Sequence, residues 1–199
     1  MDKKFVSRGG IKLQAALDFF KVYTKDKVVL DVGSSTGGFV DCLLQNGAIK
    51  VYSVDTAYGE LTWKLRNDPK VVVMERTNIL HLDSLPEAVD LITIDAGWTR
   101  LELILPVVKK FLKPNGVIIA LLKPQYEADK NLLRRTLPFA DAKRKKDLVK
   151  GVLPKEIAEK VKDEVIENIH DLGFKIQDQM ESPILGGGGN TEYLLKITL

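Results

Sequence analysis

The 199-residue chain has one cysteine and two histidines. A lone Cys42 excludes an internal disulfide, and its place in a helical pattern makes it a core residue. His81 and His170 have no partner at metal-ligand spacing, so no metal is expected. No apolar run approaches the roughly 20 residues that a spanning helix needs, so no membrane partner is expected. The start, Met1-Asp2-Lys3-Lys4-Phe5, lacks the apolar segment of a secretory signal. These absences leave the cytoplasm as the default compartment. Nor does one sign of charge dominate. A net charge of +3 permits a nucleic-acid partner without requiring one.

What is present is a regular alternation of strand and helix patterns. Leu13, Ala16, Leu17 and Phe20 recur at helical spacing and predict an amphipathic first helix. Strands are expected at 28–32, 51–54, 71–74, 90–95 and 117–122. Helices are expected at 38–45, 61–65 and 101–112, the last stopped by the Lys113-Pro114-Asn115-Gly116 breaker. A charged helix over 155–172 and strands at 174–180 and 193–197 close the chain. Continuous apolar strands between helices imply a parallel sheet covered on both faces. The expected fold is therefore α/β, a mostly parallel seven-stranded sheet with an antiparallel final strand. That is the Rossmann-like arrangement of methyltransferases, read as a single domain over 1–199.

The segment Asp31-Val32-Gly33-Ser34-Ser35-Thr36-Gly37-Gly38-Phe39 closes the first strand and opens a helix. Its glycines allow a tight turn and close ligand approach. The spacing is not the Gly-x-Gly-x-x-Gly of dinucleotide enzymes, so no pyrophosphate cradle is spelled out. Asp31 adds negative charge. S-adenosylmethionine, with its sulfonium and amino group, fits this loop better than NAD. Asp55 ends the second strand, 22 residues after Gly33, where a carboxylate can accept from both ribose hydroxyls. Taken alone, Asp55 is also a plausible turn cap. Asn78, after the third strand, is a candidate for the adenine edge, and equally an ordinary loop asparagine.

Four charged residues stand where a reaction centre belongs. Lys12 lies beside the apolar stripe of the first helix, Asp95 ends the fourth strand, Lys123 ends the fifth, and Glu192 starts the last. Each has a bland alternative: a solvated lysine, a helix cap, a strand end, a polar strand face. Jointly, beside such a loop, they suit attack by a weakly acidic hydroxyl, which needs a base or a strong orienting group. Which lysine would carry the proton is open. Asp95 is best placed to orient Lys123 and to offset cofactor charge.

At this point the chain resembles the FtsJ-like rRNA methyltransferases, and within them the TlyA group, also labelled hemolysins. The resemblance rests on Val6-Ser7-Arg8-Gly9-Gly10-Ile11-Lys12-Leu13, on Leu30 to Leu44, on Val54-Asp55 with Tyr58-Gly59, and on 61–69. It continues through Met74-Glu75-Arg76-Thr77-Asn78, Leu122-Lys123-Pro124-Gln125-Tyr126-Glu127 and Ser182-Pro183-Ile184. It implies 2′-O-methylation of cytidine in ribosomal RNA, with that group's Lys-Asp-Lys-Glu tetrad on Lys12, Asp95, Lys123 and Glu192. Two departures stand out. The group's N-terminal S4 RNA-binding domain is expected to be absent. The loop after Asp95 reads Ala96-Gly97-Trp98-Thr99-Arg100-Leu101 instead of Val-Ser-Phe-Ile-Ser-Leu.

RNA is expected to be gripped by Lys3, Lys4, Arg8, Lys64 and Arg66, and by Lys143, Arg144, Lys145 and Lys146. Such phosphate contacts carry little sequence information. Trp98 is either a stacking platform for a splayed base or a core residue. Gly186 to Asn190 reads as a mobile loop at the RNA entrance. The alternatives are a cofactor- and RNA-binding assembly module without turnover, and a membrane-active hemolysin, for which the sequence offers no spanning segment.

Overall fold

The computed structural model describes residues 4–128 and 151–199. The expected RNA contacts at Lys3, Lys143, Arg144, Lys145 and Lys146 lie outside these residues. In chain order the elements are α1 (Gly9–Phe20), β1 (Val28–Val32), α2 (Gly38–Gln45), β2 (Lys50–Val54), α3 (Trp63–Arg66) and β3 (Val71–Met74). They continue with β4 (Val89–Ile94), α4 (Leu101–Val108), β5 (Leu112–Leu122), α5 (Pro124–Glu127), α6 (Lys155–Asp171), β6 (Lys175–Glu181) and β7 (Tyr193–Thr198).

These strands form a seven-stranded sheet in the order β3-β2-β1-β4-β5-β7-β6. β1 to β5 run parallel, and β7 is inserted antiparallel to both neighbours. Successive strand residues point to opposite faces, so Val29 and Leu30 enter different cores. Val29, Leu91, Ile119 and Leu194 pack with α1 and α2. Leu30, Ile92, Ile118 and Leu195 pack with α4 and α6. Both faces are covered, which is why the strands read as unbroken apolar runs. Each fully buried Leu or Ile contributes about 1.5–3 kcal/mol.

Two local expectations are corrected. The helix expected over 101–112 ends at Val108 and tightens into a 3₁₀ turn at Lys109–Phe111. Pro106 inside it lacks the N–H that would continue the ladder. The expected breaker at Lys113 to Gly116 is instead a bulge within β5. Val89 pairs with Leu112 and Leu91 with Val117, so the extra residues are looped out of register. Pro114 can offer no ladder N–H there.

The chain leaves β1 toward β2 on one side, and β4 and β5 lie on the other. The strand order thus reverses at β1, and its carboxyl end opens the crevice where ligands bind in such sheets.

Candidate functional site

The loop after β1 is built by glycine geometry. Gly33 has φ +83°, and a Cβ there would sit 2.8 Å from the Asp95 carbonyl oxygen. Only glycine lets the ends of β1 and β4 come so close. At Gly38 a Cβ would lie 2.1 Å from Ser7 Oγ, so the segment before α1 rests directly on the loop. The loop spends its amides internally. Gly33 and Ser34 N–H donate to the Val54 carbonyl, Ser35 N–H to Asp55 Oδ2 at 2.7 Å, and Gly37 N–H to the Ser34 carbonyl. Few donors are left for a pyrophosphate.

Asp55 Oδ1 accepts from Ala57 N–H at 2.8 Å. Each carboxylate oxygen has a further lone pair to offer. Asn78 begins a 3₁₀ turn at Ile79–His81, and its side-chain oxygen accepts from Leu80 N–H at 3.0 Å. Asp55 and Asn78 line a cavity of about 460 Å³ together with Gly33, Ser35, Asp95, Ala96 and Trp98.

A second cleft, of about 670 Å³, lies on the other side of the loop. Lys12, Glu192, Arg8, Ser34, Thr36, Gly38 and Phe39 line it. The two hollows share Gly33, Ser35, Asp95 and Lys123. Lys123 Nζ lies 2.5 Å from Asp95 Oδ1 and donates to the Asp95 carbonyl at 3.3 Å. Lys12 forms a direct ion pair with Glu192, and both are buried. A Cβ on Gly186 would lie 2.2 Å from Glu192 Oε1, so that glycine makes room for the pair. The fold therefore brings Lys12, Asp95, Lys123 and Glu192, expected from four distant stretches, around one cleft.

Asp31 lines neither hollow. It lies fully buried beneath the loop, where Thr93 donates to its Oδ1 at 2.6 Å and its Oδ2 has no partner among the described residues. Burial pushes its carboxyl up to about 7, and the Thr93 and Ser34 hydrogen bonds oppose that rise. Gly37 is also outside both linings. There it packs against Leu61 and Leu65.

The expected RNA contacts divide. Lys4 and Arg8 are exposed, and Arg8 faces the larger cleft. Lys64 is exposed, with Asp41 at 3.6 Å. The Arg66 guanidinium is committed to Glu75. Trp98 is 89% exposed, which excludes the core alternative. Cys42 is fully buried, and burial pushes its thiol up to about 12. Among the described residues no cluster of His, Cys, Asp or Glu could hold a metal, and no helix is long and apolar enough to cross a membrane.

Some residues went unmarked in the sequence. Tyr126 lies 5.0 Å, ring to ring, from Trp98 at the rim. The Glu127 side chain accepts from Leu101 N–H at 3.0 Å, tying the turn beyond Lys123 to the start of α4. Burial pushes its carboxyl up to about 7. Asn190, read as part of a loose glycine loop, is buried. Its side chain accepts from Leu153 N–H at 2.8 Å and donates to the Gly151 carbonyl at 2.9 Å. One end of the loop is thus fastened, while Gly187 and Gly188 line the larger cleft. Only the Lys-Pro-Gln-Tyr-Glu spelling after a strand end could have hinted at Tyr126 and Glu127.

The sheet order, the inserted β7 and the reversal at β1 define a Rossmann-like methyltransferase fold. Aeropyrum pernix fibrillarin, solved with natively bound S-adenosyl-L-methionine, shares that fold with a TM-score of 0.58 at 15% identity, over 93% of this chain and 74% of its own. The chain belongs to the FtsJ-like methyltransferase family, whose model matches residues 5–198. It is 42% identical over 197 residues to the Bacillus subtilis protein YqxC, covering 98% of this chain and 66% of the relative. It is 36% identical over 198 residues to the Mycobacterium tuberculosis 16S/23S rRNA (cytidine-2′-O)-methyltransferase TlyA, covering 98% of this chain and 68% of the relative. A solved Streptococcus thermophilus protein called a hemolysin superposes with a TM-score of 0.86 at 36% identity, over 99% of this chain and 68% of its own. The chain thus spans about two thirds of the length of these closely similar proteins.

Proposed function

We propose that the chain transfers a methyl group from S-adenosylmethionine to a ribose 2′-hydroxyl of ribosomal RNA, with cytidine as the target nucleoside. The observation that carries this reading is the meeting of two hollows at Asp95 and Lys123. One hollow suits a nucleoside cofactor and the other a nucleotide substrate, so a group can pass between them at that point. The name of the tuberculosis relative supplies the 2′-hydroxyl and the cytidine.

The residues present fit the cofactor. Asp55 can accept from ribose hydroxyls, and Asn78 stands on the same wall. The loop offers carboxylates and few free amides, which suits a cationic sulfonium better than a pyrophosphate. When bound, S-adenosylmethionine supplies an electrophilic methyl and is left as a neutral thioether.

This chain's side chains do the rest. The Lys123 ammonium, fixed by Asp95, holds the 2′-oxygen at the junction. The Asp95 carboxylate, the member of the pair with lone pairs to offer, takes the hydroxyl proton as the oxygen–carbon bond forms. Lys12 and Glu192 position the ribose from the opposite wall. Holding the two reactants in line supplies much of the rate gain of such a displacement.

The test is incubation with methyl-labelled cofactor and ribosomal subunits that lack the modification. Label is expected in RNA, with the phosphodiester on its 3′ side resistant to alkali. Label in base atoms, or in protein, overturns the reading.

A further inference from the structure

Behind the glycine loop lies an exposed corner that the proposed chemistry does not use. Tyr58 is 67% exposed and Trp63 is 78% exposed. The Arg76 guanidinium lies 4.2 Å over the Tyr58 ring. Lys64 is exposed beside Trp63. Two large rings left in water, one of them with a guanidinium on its face, are unusual for a surface that has nothing to bind.

The corner is built, not incidental. Glu75 Oε1 accepts from Gly59 N–H at 3.0 Å and from the Arg66 guanidinium, and these bonds hold its carboxyl below the ordinary range against the opposing effect of burial. Glu75 thereby locks the Tyr58 turn to α3. Arg76 has φ +52°, a left-handed conformation uncommon for a residue with a side chain, and its N–H donates to the Ala57 carbonyl at 3.1 Å. That backbone goes with the guanidinium's place over Tyr58. Strain of this kind persists where the surroundings impose it, and it clusters at functional sites.

Its position is also informative. Thr62 N–H donates to the Thr36 carbonyl at 3.3 Å, and Thr36 lines the larger cleft. Trp63 therefore begins one residue from the wall where the target ribose is proposed to lie. We infer that Tyr58, Trp63 and Arg76, with Lys64, form a stacking platform for single-stranded RNA that flanks the methylated nucleotide. Exposed rings accept unpaired bases of any identity, and the cations reach the phosphates between them. Lys64 and Arg76 give the patch the charge an RNA strand needs. Arg66 is spent on Glu75 and serves the platform by holding it together.

The inference rests on the RNA reading above, and the experiment separates the two. The full chain, wild type and with Trp63→Ala or Arg76→Gly, is measured for affinity toward an unmodified ribosomal RNA fragment across a salt series. Cofactor affinity and melting temperature are measured alongside. Glycine is at ease at φ +52°, so Arg76→Gly leaves the fold intact. Trp63→Ala is expected to weaken RNA binding about tenfold. Arg76→Gly is expected to weaken it and to flatten the salt dependence by about 0.7 in slope, one phosphate contact on a single strand. Cofactor affinity and melting temperature should stay unchanged. Unchanged RNA affinity in both variants overturns the platform. A loss confined to cofactor affinity assigns the corner to the nucleoside pocket and overturns it too. A wild-type chain that binds cofactor but no RNA overturns both the platform and the RNA reading.

Discussion

The Lys12–Glu192 pair is closed away, whereas the Lys123–Asp95 pair is only partly buried. Side-chain exposure is 9% and 3% in the first and 15% and 22% in the second. The first touches only the larger cleft; the second belongs to both hollows. Two pairs of identical charge thus carry different burdens. A buried pair has lost its water and depends on its partner, so breaking it harms the fold. A partly exposed pair that both hollows reach is within range of a substrate that can take over one partner. Under the proposed function, chemistry falls to Lys123 and Asp95, and positioning to Lys12 and Glu192.

The sharpest way to break this comparison is Lys123→Ala. Methyl transfer is expected to fall by roughly 10²–10⁴, with cofactor affinity and melting temperature nearly unchanged. Equal labelling of RNA by the variant removes Lys123 from the mechanism. Next comes the buried pair. Lys12→Met or Glu192→Leu alone should destabilise by about 3–5 kcal/mol in chemical denaturation, because one charge is stranded without its partner. The double variant should recover most of that stability and none of the activity. Additive losses in the double variant would contradict the dependence of each charge on the other.

Asp55→Ala should weaken cofactor binding by about tenfold, as expected for lost charge-assisted hydrogen bonds. RNA affinity should hold, and calorimetry reads both. A matching loss of RNA affinity would mean that the two hollows are not separate sites. The smallest effect concerns Glu127, in the turn just beyond Lys123. Its folded carboxyl lies above the ordinary 4.5, at about 7, so the folded chain holds that proton more tightly than the unfolded chain. The stability this provides is complete below about 4.5 and is lost as pH rises through about 7. Glutamine keeps an acceptor for Leu101 N–H and has no such proton. Glu127→Gln should therefore melt with wild type near pH 5 and a few degrees above it by pH 8. A difference independent of pH would count against burial as the cause.

Much of the fold was legible because its signals are local. Val28 to Val32 and Val71 to Met74 are strands at the expected residues, and the 38–45 helix begins and ends as its glycines indicate. The bulge at Lys113 to Gly116 was not legible, since proline and glycine spell a break and only pairing with β4 makes the segment a strand. Likewise Asn190 sits among glycines that spell a loose loop. Its anchors, Gly151 and Leu153, are distant in sequence.

The candidate site divides in the same way. Sequence alone determined which residue types stand at the strand ends, because apolar runs, glycines and charges follow one another along the chain. It could not tell Asp31, buried under the loop, from Asp55, on the cavity wall, since both are aspartates at or near a strand end. Nor could it pair Lys12 with Glu192, 180 residues apart. Which lysine is sealed and which is partly exposed was decided only by the tertiary structure. Burial and charge pairing depend on neighbours brought together through space, and a linear pattern does not record them.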